Sequence, residues 1–276
     1  MATQQNPTLH LFIVSDSIGE TANRFAKAAL AQFPDVNTVL HKTMFISNQE
    51  ALDQVLIQAK DLNAIIILTL ADAKLATYAE DYCNSHHISL FNLIQPLTQV
   101  ITEKTGLHPT HKIGALHDLS AEYFDRVKAM EFCMMYDDGK DPKGFEEADI
   151  VLLGISRTSK TPLSMYLGNL GYKVANLPLI PENKVPEVIF SLDPKKIVGL
   201  TTSSQVVNTH REIRMKEYGM PEGTRYASME RVTMELAFAQ DLFDRLGCLV
   251  VNTADRSIEE TASIIIQELG LNNQTW

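Results

Sequence analysis

The sequence is poor in cysteine, and it has neither a long apolar run nor an excess of positive charge. Cys83, Cys133 and Cys248 are far apart and odd in number, so neither a disulfide framework nor metal-ligand spacing is visible. Such usage favours a reducing cytoplasm. The first eight residues lack the apolar segment of a signal peptide, and no apolar run approaches the ~20 residues that span a bilayer. We therefore expect neither a secretion signal nor a membrane anchor.

The charge balance argues against a nucleic-acid partner. The chain has 24 Lys and Arg against 34 Asp and Glu, which gives a net charge of −10 at pH 7. No broad basic surface is implied, although local positive charge is enough for a small phosphate ligand. What is present is an ordinary globular composition of 276 residues, 45% of them hydrophobic. This length suffices for one large core or two smaller ones.

Short apolar, β-prone runs alternate with helical stretches along most of the chain. This alternation predicts parallel sheets with helices on their faces. The fold class is therefore α/β, with an N-terminal parallel-sheet half and a C-terminal α/β half. The motif described next makes this C-terminal half P-loop kinase-like. The predicted strands are residues 9–14, 38–45, 64–70, 88–93, 150–153, 173–177, 196–201 and 248–252. The predicted helices are residues 21–32, 48–60, 71–85, 96–105, 119–136, 162–170, 204–218, 228–246 and 257–269.

The most informative motif lies between the apolar strand at 150–153 and the following helix. It has a glycine, four residues, one small residue and then Lys-Thr, which is the spacing of a phosphate-binding loop in its strand–loop–helix context. Unpaired N–H groups and the helix dipole attract phosphate there. Lys160 would add a full positive charge, and the Thr161 hydroxyl would suit Mg²⁺. The predicted phosphate-binding residues are Gly154, Ile155, Ser156, Arg157, Thr158, Ser159, Lys160 and Thr161.

Ser159 departs from the usual pattern, which has glycine before the lysine. A side chain there restricts the loop and crowds the phosphates. The alternative interpretation of the motif is a polar turn and helix cap with a solvated lysine. Arg157 would either add a second cationic contact or be an ordinary exposed arginine, and the sequence leaves both open.

A charged, turn-rich connector from Asp137 to Gly144 is predicted to separate the halves into domains 1–144 and 145–276. Its adjacent aspartates, Asp137 and Asp138, also suit Mg²⁺ binding or general-base chemistry near a phosphoryl group. From residue type alone, a solvated turn is the simpler interpretation. No strand ending in aspartate clearly completes a Mg²⁺ site, the nearest being the imperfect segment 249–255. A group of arginines would supply phosphate clamps or a solvated helix face: Arg211, Arg214, Arg225 and Arg231.

A second turn, Ser15 to Glu20, follows the first strand. Ser17 and Glu20 have the spacing of a capping box, as do Ser257 and Glu260 near the end of the chain. The turn at Ser15–Glu20 either only starts a helix or forms a second site at the carboxyl end of a strand, where α/β proteins place ligands.

Several stretches of the chain, taken together, resemble one known family. They are Val14–Thr21, Tyr123–Phe132, Asp137–Gly139, Gly154–Ser164, Lys173–Leu179 and Arg256–Glu260. In combination they are similar to the bacterial pyruvate, phosphate dikinase regulatory proteins and the related phosphoenolpyruvate synthase regulatory proteins. The matches run from about residue 10 to residue 265 and therefore cover nearly the whole chain. The loop of this family also tolerates serine before the lysine.

The resemblance implies a bifunctional enzyme. As a serine/threonine kinase it would use ADP to phosphorylate, and so inactivate, a threonine of pyruvate, phosphate dikinase or of phosphoenolpyruvate synthase. As a phosphorylase it would use inorganic phosphate to remove that group and release pyrophosphate. The candidate catalytic residues are Lys160, Asp137 and Asp138, and Thr161 is the expected Mg²⁺ ligand. The resemblance does not identify the base, for which Asp137, Asp138 and Asp16 are all candidates.

Two questions stay open at the level of sequence. The motifs do not choose between the dikinase and the synthase, and they leave the oligomeric state open, including a homo-oligomer. A rival hypothesis is a non-catalytic protein that senses ADP and controls docking to a partner. A weaker one is an ordinary ATP-dependent kinase of small molecules, which would prefer ATP to ADP.

Overall fold

The computed structural model describes residues 8–115, 121–219 and 225–271. The chain packs as two compact units, Met1–Asp118 and Leu119–Trp276. Each unit contains a four-stranded parallel sheet with helices, so the predicted α/β class is confirmed.

The first unit has the strand order β2-β1-β3-β4. Its elements are β1 (Thr8–Ser15), α1 (Glu20–Leu30), β2 (Asn37–Thr43), α2 (Gln49–Asp61), β3 (Ile65–Thr69), α3 (Ala73–His86), β4 (Ser89–Asn92) and α4 (Gln95–Thr105). Side chains alternate across β3: Ile66 and Leu68 pack in the cluster that includes α2 and α3, whereas Ile67 packs against Ala22 and Ala26 of α1. Burial on both faces explains why this strand is a continuous apolar run.

The second unit has the strand order β6-β5-β7-β8. Its elements are α5 (Ala121–Met135), α6 (Lys143–Glu147), β5 (Ile150–Gly154), α7 (Lys160–Asn169), β6 (Val174–Pro178), β7 (Ile197–Thr201), α8 (Ser204–Glu217), α9 (Met229–Leu246), β8 (Leu249–Asn252) and α10 (Ile258–Glu268). Short 3₁₀ turns occupy Asp137–Gly139, Glu187–Ser191, Pro194–Lys196 and Arg225–Ala227.

Strand β5 is central to this sheet, and every one of its residues is buried. Ile150 and Leu152 pack with residues of α7 and α10, while Val151 and Leu153 face the cluster that includes α9. The carboxyl end of β5 leads directly into the loop that precedes α7. Because β5 is packed on both faces, it fixes the starting point of the predicted phosphate-binding loop.

Helix α5 packs within the second unit rather than the first. A Cβ added at Gly168 of α7 would lie 2.9 Å from the Cys133 sulfur of α5, so the two helices approach closely because position 168 has no side chain. Phe132 of α5 also joins the core beneath β5. The sequence-based boundary at residue 144 therefore falls inside the second packing unit.

The two expected capping boxes have different outcomes. Ser257 and Glu260 form theirs, with Ser257 N–H donating to Glu260 Oε2 at 2.8 Å and Glu260 N–H donating to Ser257 Oγ at 3.1 Å. The prediction of a capping box at Ser17 is wrong. Helix α1 begins after Gly19, and Gly19 is in the left-handed conformation at φ 69°. Ser17 instead donates its N–H to Ser15 Oγ. Within the described ranges, no helix combines the length and apolar character that a bilayer crossing requires.

Candidate phosphate-binding site

Gly154 begins a tightly wrapped loop at the end of β5. A Cβ there would lie 2.6 Å from Thr158 Oγ1 and 2.9 Å from the backbone oxygen of Leu200, so only glycine fits. The buried Thr158 hydroxyl donates to the carbonyl of Ile155 at 2.9 Å and closes the loop on itself. Leu179 donates its N–H to the Gly154 carbonyl at 2.9 Å, which ties the loop to the segment after β6.

Two non-glycine residues of the loop are left-handed, Arg157 at φ 77° and Ser159 at φ 63°. Ser159 occupies the N-cap position of α7, but its side chain makes no capping hydrogen bond. The N–H groups of the first turn of α7 are therefore left without a side-chain cap. This is the arrangement that an anion at a helix N-terminus uses.

Lys160 is almost completely buried, with 6% of its surface exposed. Its Nζ donates to the Ile155 carbonyl at 2.9 Å across the loop. Burial lowers the pKa of Lys160 to about 8, against an opposing effect of the nearby Asp138 and Asp137 carboxylates. The alternative of a solvated lysine in a polar turn does not describe this side chain.

Asp137 lies directly against the loop. The Thr161 hydroxyl donates to Asp137 Oδ1 at 3.0 Å, and the buried Asn176 donates to the same oxygen at 2.6 Å. The Asn176 Oδ1 accepts the N–H of Asp138 at 3.2 Å, so one amide of β6 holds both aspartates. Asp138 is left-handed, and it lines the adjacent cleft. The turn is thus ordered by specific contacts rather than merely solvated.

The Thr161 hydroxyl and the Asp137 carboxylate are suited to hold a Mg²⁺ ion whose other ligands come from the substrate phosphates. Mg²⁺ commonly takes one or two carboxylates and completes its shell with phosphate and water. In the described part of the chain, no group of three or more His, Cys, Asp and Glu residues forms a self-contained metal site. Segment 249–255 does not supply the acid, because β7 separates β8 from β5 and Asp255 is absent from the described residues that line the cleft.

An open cleft of about 1480 Å³ extends from this loop across the second unit. Its walls are the predicted phosphate-binding loop, the segment after β6, one side of α8, Tyr226 and the start of α9. The cleft is large enough for a nucleotide and part of a second substrate. The described lining residues include Asp138, Ser156, Arg157, Ser159, Lys160, Thr161, Leu179, Glu182, His210, Arg211, Arg214, Tyr218, Tyr226, Arg231 and Glu235.

Arg211 is fully buried behind the loop, which excludes the solvated-face interpretation for this residue. It donates to the Tyr226 carbonyl at 2.8 Å, to Glu235 Oε2 at 2.5 Å and to the Ser156 carbonyl at 3.4 Å. Its guanidinium carbon lies 4.5 Å from the centre of the Tyr226 ring. The Tyr226 and Ser156 hydroxyls are 2.8 Å apart. Arg211 therefore supports the backbone of the predicted phosphate-binding loop.

The other predicted arginines divide into paired and unpaired groups. Arg231 donates to Glu235 Oε1 at 2.5 Å and is bound by both carboxylate oxygens of Glu182, one of them at 2.6 Å. Arg214 is exposed and lines the cleft, and among described residues neither it nor Arg157 forms an ion pair with a carboxylate. The side chain of Arg225 lies outside the described residues.

Asp16 belongs to the first unit, where its buried carboxylate accepts the N–H of Ala71 at 2.5 Å. It thereby joins the loop after β1 to the loop after β3. Its suggested role as a catalytic base stays a prediction.

Sequence reasoning grouped Gly154 to Thr161 with the two aspartates, and the structure places Asp137 against Thr161. The sequence did not reveal the polar residues around this group. Asn176 and Tyr226 contact it directly, and Glu235 and Glu182 pair with Arg211 and Arg231. They come from separate elements, and no local pattern marks them. Only the unusual asparagine inside the apolar run of β6 is a signal that was available.

Comparisons with known proteins agree with this geometry. A family profile described as kinase/pyrophosphorylase matches residues 11–266. A relative from Latilactobacillus sakei, provisionally named pyruvate, phosphate dikinase regulatory protein 1, is 50% identical over 97% of this chain and 96% of its own. Relatives from Enterococcus faecalis and Lacticaseibacillus casei are 47% and 49% identical, each over 96% of both chains. Both carry provisional names as pyruvate, phosphate dikinase regulatory proteins.

Proposed function

The chain belongs to the kinase/pyrophosphorylase family, and on that premise we propose that it is an ADP-dependent serine/threonine kinase and phosphate-dependent phosphorylase. Its target is a threonine of pyruvate, phosphate dikinase. The observation that carries this proposal is the buried Lys160 in an uncapped phosphate-binding loop, with Asp137 against Thr161. The target follows from the provisional names of the relatives, and the same chemistry on phosphoenolpyruvate synthase is the alternative.

In the kinase direction, the threonine hydroxyl of the target attacks the β-phosphorus of ADP. The new bond joins the threonine oxygen to phosphorus, and the bond to the oxygen that bridges the two phosphates breaks. The products are phosphothreonine and AMP, and the threonine proton passes to a base. Asp138 is exposed, lines the cleft beside Lys160 and is our assignment for that base.

In the phosphorylase direction, an oxygen of inorganic phosphate attacks the phosphorus of phosphothreonine. The bond between phosphorus and the threonine oxygen breaks, the threonine takes up a proton, and pyrophosphate leaves. Inorganic phosphate thus has the role that the α-phosphate of AMP would have in the reverse of the kinase reaction. One phosphate-binding loop can therefore serve both directions, with phosphate in the place of AMP.

The residues of the site stabilise charge more than they perform covalent chemistry, as phosphoryl transfer requires. Lys160 and Arg157 would neutralise oxygens of the transferred group, while the first turn of α7 binds them through N–H groups. Thr161 and Asp137 would hold Mg²⁺, whose chemistry is to neutralise the charge that develops on the phosphate oxygens. Arg211 and Asn176 keep the loop and the aspartates in place from behind.

The decisive experiment uses ADP labelled in its β-phosphate. The protein is incubated with it and with purified pyruvate, phosphate dikinase or phosphoenolpyruvate synthase, each phosphorylated on its catalytic histidine. We expect label on a threonine of the dikinase, release of AMP, and loss of both on Lys160→Met substitution. Label on the synthase instead would correct the target. Tight ADP binding without label on either protein would overturn the proposal and favour a nucleotide sensor.

The reverse activity tests whether one site serves both reaction directions or each direction has its own site. Phosphothreonine dikinase and inorganic phosphate should yield pyrophosphate with the wild-type protein, and Lys160→Met should abolish this as well. If Lys160→Met lost only the kinase and kept the phosphorylase, a single loop serving both directions would be refuted.

A further inference from the structure

We propose that Ser159 restricts the phosphate donor to a nucleoside diphosphate and excludes the triphosphate. This inference rests on the proposed function, because it concerns the donor in the same phosphate-binding site. Three features of the second unit support it: the backbone conformation of Ser159, the orientation of its side chain, and the charges that line the cleft.

The backbone of Ser159 is left-handed, at φ 63° and ψ 22°. Glycine adopts this conformation without steric cost, whereas a side chain makes it unfavourable. A glycine at this position would therefore relieve the backbone. A strained residue that a simpler one would replace points to a role for its side chain.

The side chain of Ser159 is not used as a helix cap. Three other serines at N-cap positions of this unit, Ser203, Ser228 and Ser257, have φ near −70° and accept an N–H from the first turn of their helices. Ser159 occupies the same position in α7 and accepts none. It is exposed, and it lines the cleft instead. Its hydroxyl and Cβ therefore face the space in which the phosphates of a donor would lie.

The charges of the cleft provide little for an additional phosphate. Arg211 and Arg231 line the cleft, but the carboxylates of Glu235 and Glu182 already neutralise them. Among the described lining residues, the lysine and arginines without a paired carboxylate are Lys160, Arg157 and Arg214. These cations match the charge of a diphosphate and its acceptor more closely than that of a longer phosphate chain.

The geometry then assigns two effects to Ser159. A terminal phosphate bound by the first turn of α7 lies against the Ser159 side chain, whose hydroxyl donates a hydrogen bond to it. The Cβ and hydroxyl also fill the space through which a third phosphate would extend. The first effect strengthens ADP binding, and the second weakens ATP binding.

Two substitutions separate these effects. Ser159→Gly removes both the hydroxyl and the Cβ, so we expect the ratio of kcat/KM for ATP to that for ADP to rise at least tenfold. Ser159→Ala removes the hydroxyl and keeps the Cβ, so the KM for ADP should rise severalfold and the ratio should rise by about the same factor, less than in Ser159→Gly. Calorimetry with ADP and ATP gives a second ratio, that of the affinities for the two nucleotides.

The matched control is Asn63→Gly in the first unit. Asn63 is also an exposed, non-glycine residue in the left-handed region, at φ 46°, and it has no part in the cleft. Relief of backbone strain at Asn63 should leave both ratios unchanged. A Ser159→Gly variant that folds and still has the wild-type ratio would overturn the role of Ser159.

The outcomes distinguish this inference from the proposed function. If wild-type protein transfers no phosphate to threonine but binds ADP in preference to ATP, the kinase proposal fails while the affinity ratios still test Ser159. If the kinase is active and Ser159→Gly does not shift the donor preference, the kinase proposal stands and the Ser159 inference fails.

Discussion

If the chain binds ADP as proposed, the depressed pKa of Lys160 makes that binding sensitive to pH in a range where few other groups titrate. Burial places this pKa at about 8 in the free protein, so the side chain is an ammonium below pH 8 and becomes neutral above it. Only the ammonium neutralises a phosphate, and a bound phosphate in turn favours the ammonium and raises the pKa. Affinity should therefore fall as the pH rises through about 8.

The size of the effect follows from the proton equilibrium. With a pKa of about 8, about half of the free protein carries the ammonium at pH 8 and about a tenth at pH 9. The dissociation constant for ADP should thus be about tenfold higher at pH 9 than at pH 7. Because phosphomonoesters lose their second proton near pH 6, the ligand itself changes little in this interval.

Isothermal titration calorimetry at constant Mg²⁺ measures both the affinity for ADP and the number of protons taken up on binding. Titrations at pH 7 and pH 9 give the two affinities, and buffers of different ionisation enthalpy give the protons taken up on binding, about 0.9 at pH 9. Lys160→Arg is the control, because a guanidinium stays charged throughout this range. Equal affinities at the two pH values would refute the reasoning, and so would an unchanged pH slope in Lys160→Arg.

Other substitutions probe the loop, the acid and a distant cap. Gly154→Ala places a Cβ 2.6 Å from Thr158 Oγ1 and 2.9 Å from the Leu200 carbonyl. Thermal unfolding should therefore show about 1–3 kcal/mol of destabilisation, with loss of ADP binding. An unperturbed Tm would contradict the close packing. Asp137→Asn removes the charge beside Thr161, so calorimetry should show that Mg²⁺ no longer strengthens ADP binding; an unchanged Mg²⁺ dependence would exclude this carboxylate. Ser257→Ala removes an exposed capping box and should cost about 1 kcal/mol of stability while ADP affinity is unchanged, and a loss of affinity would show that the effect is not local.

Much of the fold could be predicted because its signals are contiguous in the chain. Strands β3 and β5 are buried on both faces, and such strands appear as uninterrupted apolar runs. The strand–loop–helix segment of the predicted phosphate-binding loop was equally accessible to prediction, since glycine, lysine and threonine occur at fixed spacing between one strand and one helix. The failed capping box at Ser17 shows the limit of such local patterns, because Ser15 competes for the same backbone N–H.

The surroundings of the loop could not be predicted, because they depend on how separate elements meet. Asn176 reaches Asp137 only because β6 pairs with β5. Arg211 and Glu235 meet because α8 and α9 pack together, although 24 positions separate the two residues. In the sequence, Arg211 looked like part of an exposed basic helix face, and nothing nearby in the chain indicates its burial.

The ion network behind the loop has unequal tolerance to mutation. Glu235 is shared by Arg211 and Arg231, whereas Arg231 also has Glu182. Loss of Arg211 leaves Glu235 neutralised by Arg231, but loss of Glu235 leaves the fully buried Arg211 without a counter-ion, a defect of about 3–5 kcal/mol. Natural drift and laboratory libraries should therefore accept change at the two arginines before they accept it at the glutamate. Glu235 would therefore be the hardest of these charged residues to replace.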